Sequence, residues 1–186
     1  MNLPNKLTLL RVILVPFFVF FMLTDIVPFS PAIALVIFIA ASITDALDGH
    51  IARSRNLVTT FGKFLDPLAD KVLVISALIC LNSIGVIGAV PVIIIVAREF
   101  MVSGLRLVTA NEGVVVAAGI WGKLKTAFTM VAEVAIMLGL CFSFEGQAAD
   151  IANIVYQVLI WTATVLTVIS GGVYLKGYWK YIDASK

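Results

Sequence analysis

Between Ser42 and Ile75 the chain reads SITDALDGHIARSRNLVTTFGKFLDPLADKVLVI, four aspartates set among apolar residues. On a helix, Asp45 and Asp48 stand three apart and Asp66 and Asp70 four apart, so each pair shares a face. The short connection Ser54–Lys63 lets those faces converge antiparallel. Four carboxylates held together repel one another, and a divalent cation relieves the repulsion. An oxygen-only set suits Mg²⁺, Mn²⁺ or Ca²⁺ and is a poorer match to zinc, which favours nitrogen and sulfur. The alternative is plain pairing of the four with Arg53, Arg55, Lys63 and Lys71. Ionisable groups within apolar helices are costly, which makes them functional candidates by default.

Neighbouring residues extend the pattern. Gly49 lies one turn from Asp45, and Gly62 one turn before Asp66. A missing side chain beside a metal site lets a phosphate or nucleotide approach the backbone, although close helix packing also uses glycine. Ala52 and Arg53 follow one turn after Gly49, and an arginine there suits bidentate phosphate binding.

The elements that must position these residues follow from composition. The 186 residues are 61% hydrophobic and 13% charged, with a mean hydropathy of +1.10. That excludes an ordinary soluble domain and gives no nucleic-acid-binding signature. Apolar runs long enough to cross a bilayer predict an all-α, polytopic membrane protein, one domain over 1–186. Six transmembrane helices are expected, at about 7–27, 31–53, 64–84, 89–110, 121–142 and 151–175. The turns fall at Pro28–Pro31, at the Asn82–Pro91 cluster and at Ser143–Asp150. Six spans put both termini on one side. All 13 Lys and Arg then sort to that side, and the opposite turns carry only Asp25, Glu145 and Asp150. The positive-inside rule makes the basic side, and both termini, cytoplasmic. Met1–Leu10 fits a short interfacial helix with Pro4 near its start, and the apolar stretch that follows is too long for a cleaved signal peptide. Cys80 and Cys141 read as apolar filler. Glu133, in span five, is the one acid expected to lie deep, protonated or paired within the bundle or a dimer interface.

The motif D-x-x-D-G-x-x-A-R-(x8)-G-x-x-x-D-x-x-x-D is present without a departure, at Asp45, Asp48, Gly49, Ala52, Arg53, Gly62, Asp66 and Asp70. Eight fixed positions coincide by chance below about 10⁻⁹ per window. This resembles the CDP-alcohol phosphatidyltransferase family over the whole chain. The resemblance implies six helices with the motif across the second and third, and a homodimer in the cell membrane with its active site at the cytoplasmic face. It further implies Mg²⁺ or Mn²⁺, as two divalent ions on Asp45, Asp48, Asp66 and Asp70. CDP-diacylglycerol would lie against Gly49, Ala52, Arg53 and Gly62. Asp70 would be the base that takes the acceptor alcohol's proton.

The acceptor is read elsewhere. Arg98 and Arg106 share a face of span four, and Lys123 and Lys125 open span five. Four cations suit an anionic acceptor, whereas headgroup anchoring accounts for any one of them. The stretches PNKLTLLR, AREFMVSGLR and GKLKT resemble the bacterial phosphatidylglycerophosphate synthase branch of the family. That branch implies glycerol 3-phosphate as acceptor, with Thr8 and Arg11 bordering its site. The alternatives are another acceptor (inositol phosphate, serine or a lipid) and a metal-ion transporter. A transporter predicts carboxylates spread through the bilayer depth, not gathered at one edge.

Overall fold

The computed structural model describes residues 3–54, 60–111 and 119–179. For residues 3–4, 45–54, 60–67, 70 and 111 it describes the backbone only. The described residues form six helices and no strand: α1 Leu3–Leu23, α2 Ser30–Ser54, α3 Thr60–Ser83, α4 Ala89–Asn111, α5 Ile120–Leu140 and α6 Gln147–Tyr178. The all-α expectation is met, and all six ranges agree with the apolar runs to within about four residues. The Asn5–Leu23 stretch of α1 and the whole of α6 are long and apolar enough to cross a membrane.

The first helix differs from expectation. No separate interfacial helix precedes it, because α1 is unbroken from Leu3 to Leu23. Pro4 falls in its first turn, where a missing N–H costs nothing. Pro16 lies inside the helix and removes the intrahelical donor of the Val12 carbonyl. The helix stops four residues short of the expected end. There the Thr24 hydroxyl folds back onto the Phe20 carbonyl at 2.6 Å, and Asp25 and Pro28 follow.

By contacts the chain divides into two compact units. One comprises residues 1–86 and 133–146, in which α1 packs on α2 and α3, and α2 touches α3. Its core is close-packed: Phe18 and Phe38 meet at 5.7 Å between ring centroids, and Ala34, Ala41, Ala69 and Ala77 are fully buried. Buried alanines let helix backbones approach closely, the packing expected where solvent supplies no hydrophobic drive between helices. The α3 end is a Schellman cap. Val86 N–H donates to the Leu81 carbonyl and Gly85 N–H to the Asn82 carbonyl, both at 3.0 Å. Gly85 takes φ of 77°, the left-handed conformation this cap requires.

The other unit comprises residues 87–132 and 147–186, where α4 packs on α6. Val102, Leu105 and Tyr174 form its buried cluster, flanked by Met101 and Tyr178. Two charges interrupt the middle of α4. Arg98 stands nine residues after Ala89, or about 13 Å along a helix about 33 Å long. Arg98 is thus a mid-helix cation. Mid-helix acids are not confined to Glu133. Glu133 is fully buried on α5, but Glu99 also lies at the middle of its helix.

Candidate active site

The eight motif residues sit on two helices of one unit. Asp45, Asp48, Gly49, Ala52 and Arg53 occupy the last three turns of α2, and Gly62, Asp66 and Asp70 the first three turns of α3. Their side chains lie outside the described residues. The helical register carries the spacing argument over intact: Asp45 with Asp48, and Asp66 with Asp70, each share a helix face. The chain's single histidine, His50, lies in this stretch but about 200° around α2 from Asp48 and about 140° from Asp45, off the face that pair shares. The donor set available to a metal from that face is therefore carboxylate oxygen, which fits Mg²⁺ or Mn²⁺.

The turn just before Asp45 is fastened to α1. Arg11 is fully buried, and its Nε donates to the Ala41 carbonyl of α2 at 3.3 Å. The Thr44 hydroxyl donates to the same carbonyl at 2.7 Å. Asn5, Thr8 and Arg11 recur at intervals of three and are all buried, so α1 turns a polar stripe inward at its start. Asn5 was not singled out by sequence reading, because one amide in a helix start reads as a cap.

The other candidate residues gather in the second unit, around two residues that the sequence pattern did not disclose. Glu99 on α4 is the first. Arg98 Nη1 donates to its carboxylate at 3.0 Å, and the Lys125 ammonium pairs with the same oxygen. Lys125 is 2% exposed, so the pair is shielded from water. Arg98 also reaches α6, where its Nη2 donates to the Ser170 hydroxyl at 2.6 Å. Gly171 eases the approach, since a Cβ there would stand 3.2 Å from the arginine's Cγ and from Met101 Cε and make them give by a few tenths of an ångström.

Tyr174 on α6 is the second. Arg106 Nη2 donates to its hydroxyl at 3.1 Å, and the guanidiniums of Arg98 and Arg106 lie 5.4 and 5.6 Å from its ring centroid. Four of the six residues assigned to the acceptor thus fall in this unit. Arg98, Arg106 and Lys125 meet through Glu99 and Tyr174, whereas Lys123 is exposed on the opening of α5. Thr8 and Arg11 fall in the other unit. An acid directly after an arginine was the available signal for Glu99. Tyr174 gave none, because an aromatic near a span's end reads as an interfacial anchor.

Comparison with known proteins agrees with the motif. The model of the CDP-alcohol phosphatidyltransferase family matches residues 1–169. A Bacillus subtilis protein named CDP-diacylglycerol–glycerol-3-phosphate 3-phosphatidyltransferase is 43% identical over 99% of this chain and 98% of its own length. A Rickettsia bellii protein of the same name is 39% identical over 97% of each. A Mycobacterium tuberculosis protein named a probable phosphatidylglycerophosphate synthase is 39% identical over 91% of this chain and 78% of its own. With the eight-position motif intact and the family's model matched over most of its length, the chain belongs to the CDP-alcohol phosphatidyltransferase family.

Proposed function

We propose that the protein transfers the phosphatidyl group of CDP-diacylglycerol to glycerol 3-phosphate, forming phosphatidylglycerophosphate and releasing CMP. One observation carries this reading: relatives at 38–43% identity, aligned over nearly their whole length, are named for this donor and this acceptor. The α4–α5 cluster supports the acceptor, since Arg98, Arg106 and Lys125 set three cations against the single Glu99 carboxylate. A dianionic acceptor has a use for that surplus; glycerol, serine and inositol have none.

Asp45, Asp48, Asp66 and Asp70 would hold Mg²⁺ or Mn²⁺, as two ions, and the bound metal would neutralise the pyrophosphate oxygens as charge develops on the leaving group. Asp70 accepts the proton of the acceptor's hydroxyl. The alcohol oxygen then bonds to the phosphorus that carries diacylglycerol, the bond from that phosphorus to the CMP oxygen breaks, and CMP departs with that electron pair. Gly49 and Gly62 admit the nucleotide by lacking side chains, Ala52 keeps that surface low, and Arg53 pairs with a phosphate oxygen. Arg98, Arg106, Lys123 and Lys125 bind the acceptor's phosphate, bordered by Thr8 and Arg11.

In this reading 1–186 is one domain, its six helices are six spans of the cell membrane, and the chain works as a homodimer with cytoplasmic termini and active site. The topology has a direct check. In a background with Cys80→Ala and Cys141→Ser, cysteines introduced at Asn56 and Ser185 should react with an impermeant maleimide only from the cytoplasmic face. One introduced at Gln147 should react only from the opposite face. Reaction of the Asn56 and Ser185 positions from different faces would refute six spans.

Chemistry is tested by CMP release from purified protein given CDP-diacylglycerol and Mg²⁺ or Mn²⁺. Across an acceptor panel, glycerol 3-phosphate should exceed glycerol, serine and inositol by more than about a hundredfold in kcat/KM, because only an acceptor that carries a phosphate pairs with the cluster's surplus positive charge. Equal use of glycerol would remove the acceptor assignment and leave the transferase chemistry standing.

A further inference from the structure

Tyr174 joins three elements that the cationic cluster depends on. Its hydroxyl accepts from Arg106 Nη2 of α4 at 3.1 Å and from the Gly119 backbone N–H at 3.1 Å. Gly119 stands immediately before α5, and its carbonyl receives the N–H groups of Gly122 and Lys123 at 3.1 and 3.2 Å. It thus occupies the cap position of α5 without a side chain to cap with. The N–H of Gly119 itself is taken by a hydroxyl from α6, 55 residues later in sequence, the role an N3 side chain plays in a capping box. The first turns of α5 carry Lys123 and Lys125. The tyrosine ring meanwhile lies against both α4 guanidiniums, and the residue itself is 4% exposed.

Gly122 reports how tightly this arrangement is closed. A Cβ at that position would stand 3.2 Å from the Tyr174 hydroxyl oxygen and 3.3 Å from Cε2. The ring cannot yield without loosening the contacts that hold Arg106 and the start of α5. Glycine here suits the close approach of the tyrosine, and a Cβ would make the ring give by a few tenths of an ångström.

We propose that Tyr174 is a positioning residue that sets the acceptor's cationic site, fixing Arg106 and the α5 start with its hydroxyl and carrying both guanidiniums on its ring. The inference rests on the acceptor reading above and adds a specific residue to it. Two cations on two helices grip one phosphate well only if their separation is fixed beforehand, because a mobile arginine must be ordered at the moment of binding. Tyr174 performs that ordering in advance, so its removal weakens the acceptor more than the donor.

The test uses the full-length protein in detergent, with Tyr174→Phe and Gly122→Ala compared against wild type. The phenylalanine keeps the ring and deletes the hydroxyl's contacts with Arg106 and Gly119. Its KM for glycerol 3-phosphate should rise about tenfold, while its kcat and its KM for CDP-diacylglycerol stay within about twofold. Gly122→Ala should show the same split from a different direction. Alanine favours the helix over glycine and offsets part of the strain of displacing the ring, so its melting temperature, read beside that of Tyr174→Phe, separates displacement of Tyr174 from loss of folding. Thermal stabilisation by glycerol 3-phosphate alone should need about tenfold more ligand in both variants. An unchanged KM for glycerol 3-phosphate in Tyr174→Phe overturns the proposal. So does an equal rise in both KM values with a lower melting temperature, which would mark a purely structural tyrosine. If wild type itself uses glycerol as well as glycerol 3-phosphate, the acceptor reading fails and takes this proposal with it; a failed tyrosine test beside a selective wild type condemns the proposal alone.

Discussion

Asp45→Asn, Asp48→Asn and Asp66→Asn should each lower CMP release by about 10²–10⁴-fold, and EDTA should stop the wild-type enzyme until Mg²⁺ or Mn²⁺ is restored. Asparagine keeps the size and one oxygen of aspartate while it removes the charge and turns the other oxygen into an NH₂ donor. A metal's stabilisation of phosphoryl-transfer charge amounts to several kcal/mol, and each factor of ten in rate is about 1.4 kcal/mol. The competing account, in which the aspartates merely pair with Arg53, Arg55, Lys63 and Lys71 at the membrane surface, predicts something quite different. Exposed ion pairs contribute about 0–1 kcal/mol to stability, so a single neutralisation would leave turnover nearly intact. Rates in the three variants and in EDTA therefore separate the two accounts by orders of magnitude. Full activity in EDTA would end the metal reading. Melting temperatures near the wild-type value would show that α2 and α3 still fold around the lost charge.

The helices were legible in the sequence because apolar runs long enough to span a bilayer have few other uses, and because polar breaks at Pro28–Pro31, Asn82–Pro91 and Ser143–Asp150 punctuate them. The cap at Gly85 sits in one of those breaks, where a glycine in a polar cluster was already a turn signal. The start of α1 was harder to place. Asn5, Thr8 and Arg11 look like a polar segment outside the membrane, yet their spacing of three gathers them on one buried face of a continuous helix. Hydropathy counts residues and does not see faces.

The site was legible where its residues are close in sequence. Two pairs of aspartates, with their glycines and arginine, form a pattern within 26 residues of chain, from Asp45 to Asp70. The cationic cluster is different. Arg98 and Arg106 were visible as charges, but what they rest on is not local: Ser170 lies 72 residues from the first, and Tyr174 lies 68 residues from the second. Glu99 was hidden for another reason. An acid beside a basic residue is read as balanced charge, and only the reach of Lys125 from α5 shows a carboxylate shared by two cations.

That shared carboxylate supplies the second large effect, a disparity between one neutralisation and two. The side chains of Arg98, Glu99 and Lys125 are 10%, 15% and 3% exposed, so none is well solvated. Glu99→Gln leaves two cations facing each other in a shielded site, and breaking a buried pair from one side costs about 3–5 kcal/mol. Unfolding in detergent should therefore start well below the wild-type temperature. Lys125→Met should cost less, because Glu99 keeps the Arg98 guanidinium at 3.0 Å. Combining the two substitutions leaves one cation and a neutral acceptor, and should recover part of the lost stability, a coupling of about 1.5–3 kcal/mol in a double-mutant cycle. Acceptor binding should not recover with it. Lys125 is absent from both the single and the combined variant, so the KM for glycerol 3-phosphate should stay about tenfold to a hundredfold above wild type in each. The KM for CDP-diacylglycerol should change little, since donor binding is assigned to the α2–α3 motif. A Glu99→Gln variant that melts like wild type would show that the carboxylate does not offset these two cations. A combined variant that regains the wild-type KM for glycerol 3-phosphate would show that Lys125 serves only as the partner of Glu99, leaving Arg98, Arg106 and Lys123 to hold the acceptor's phosphate.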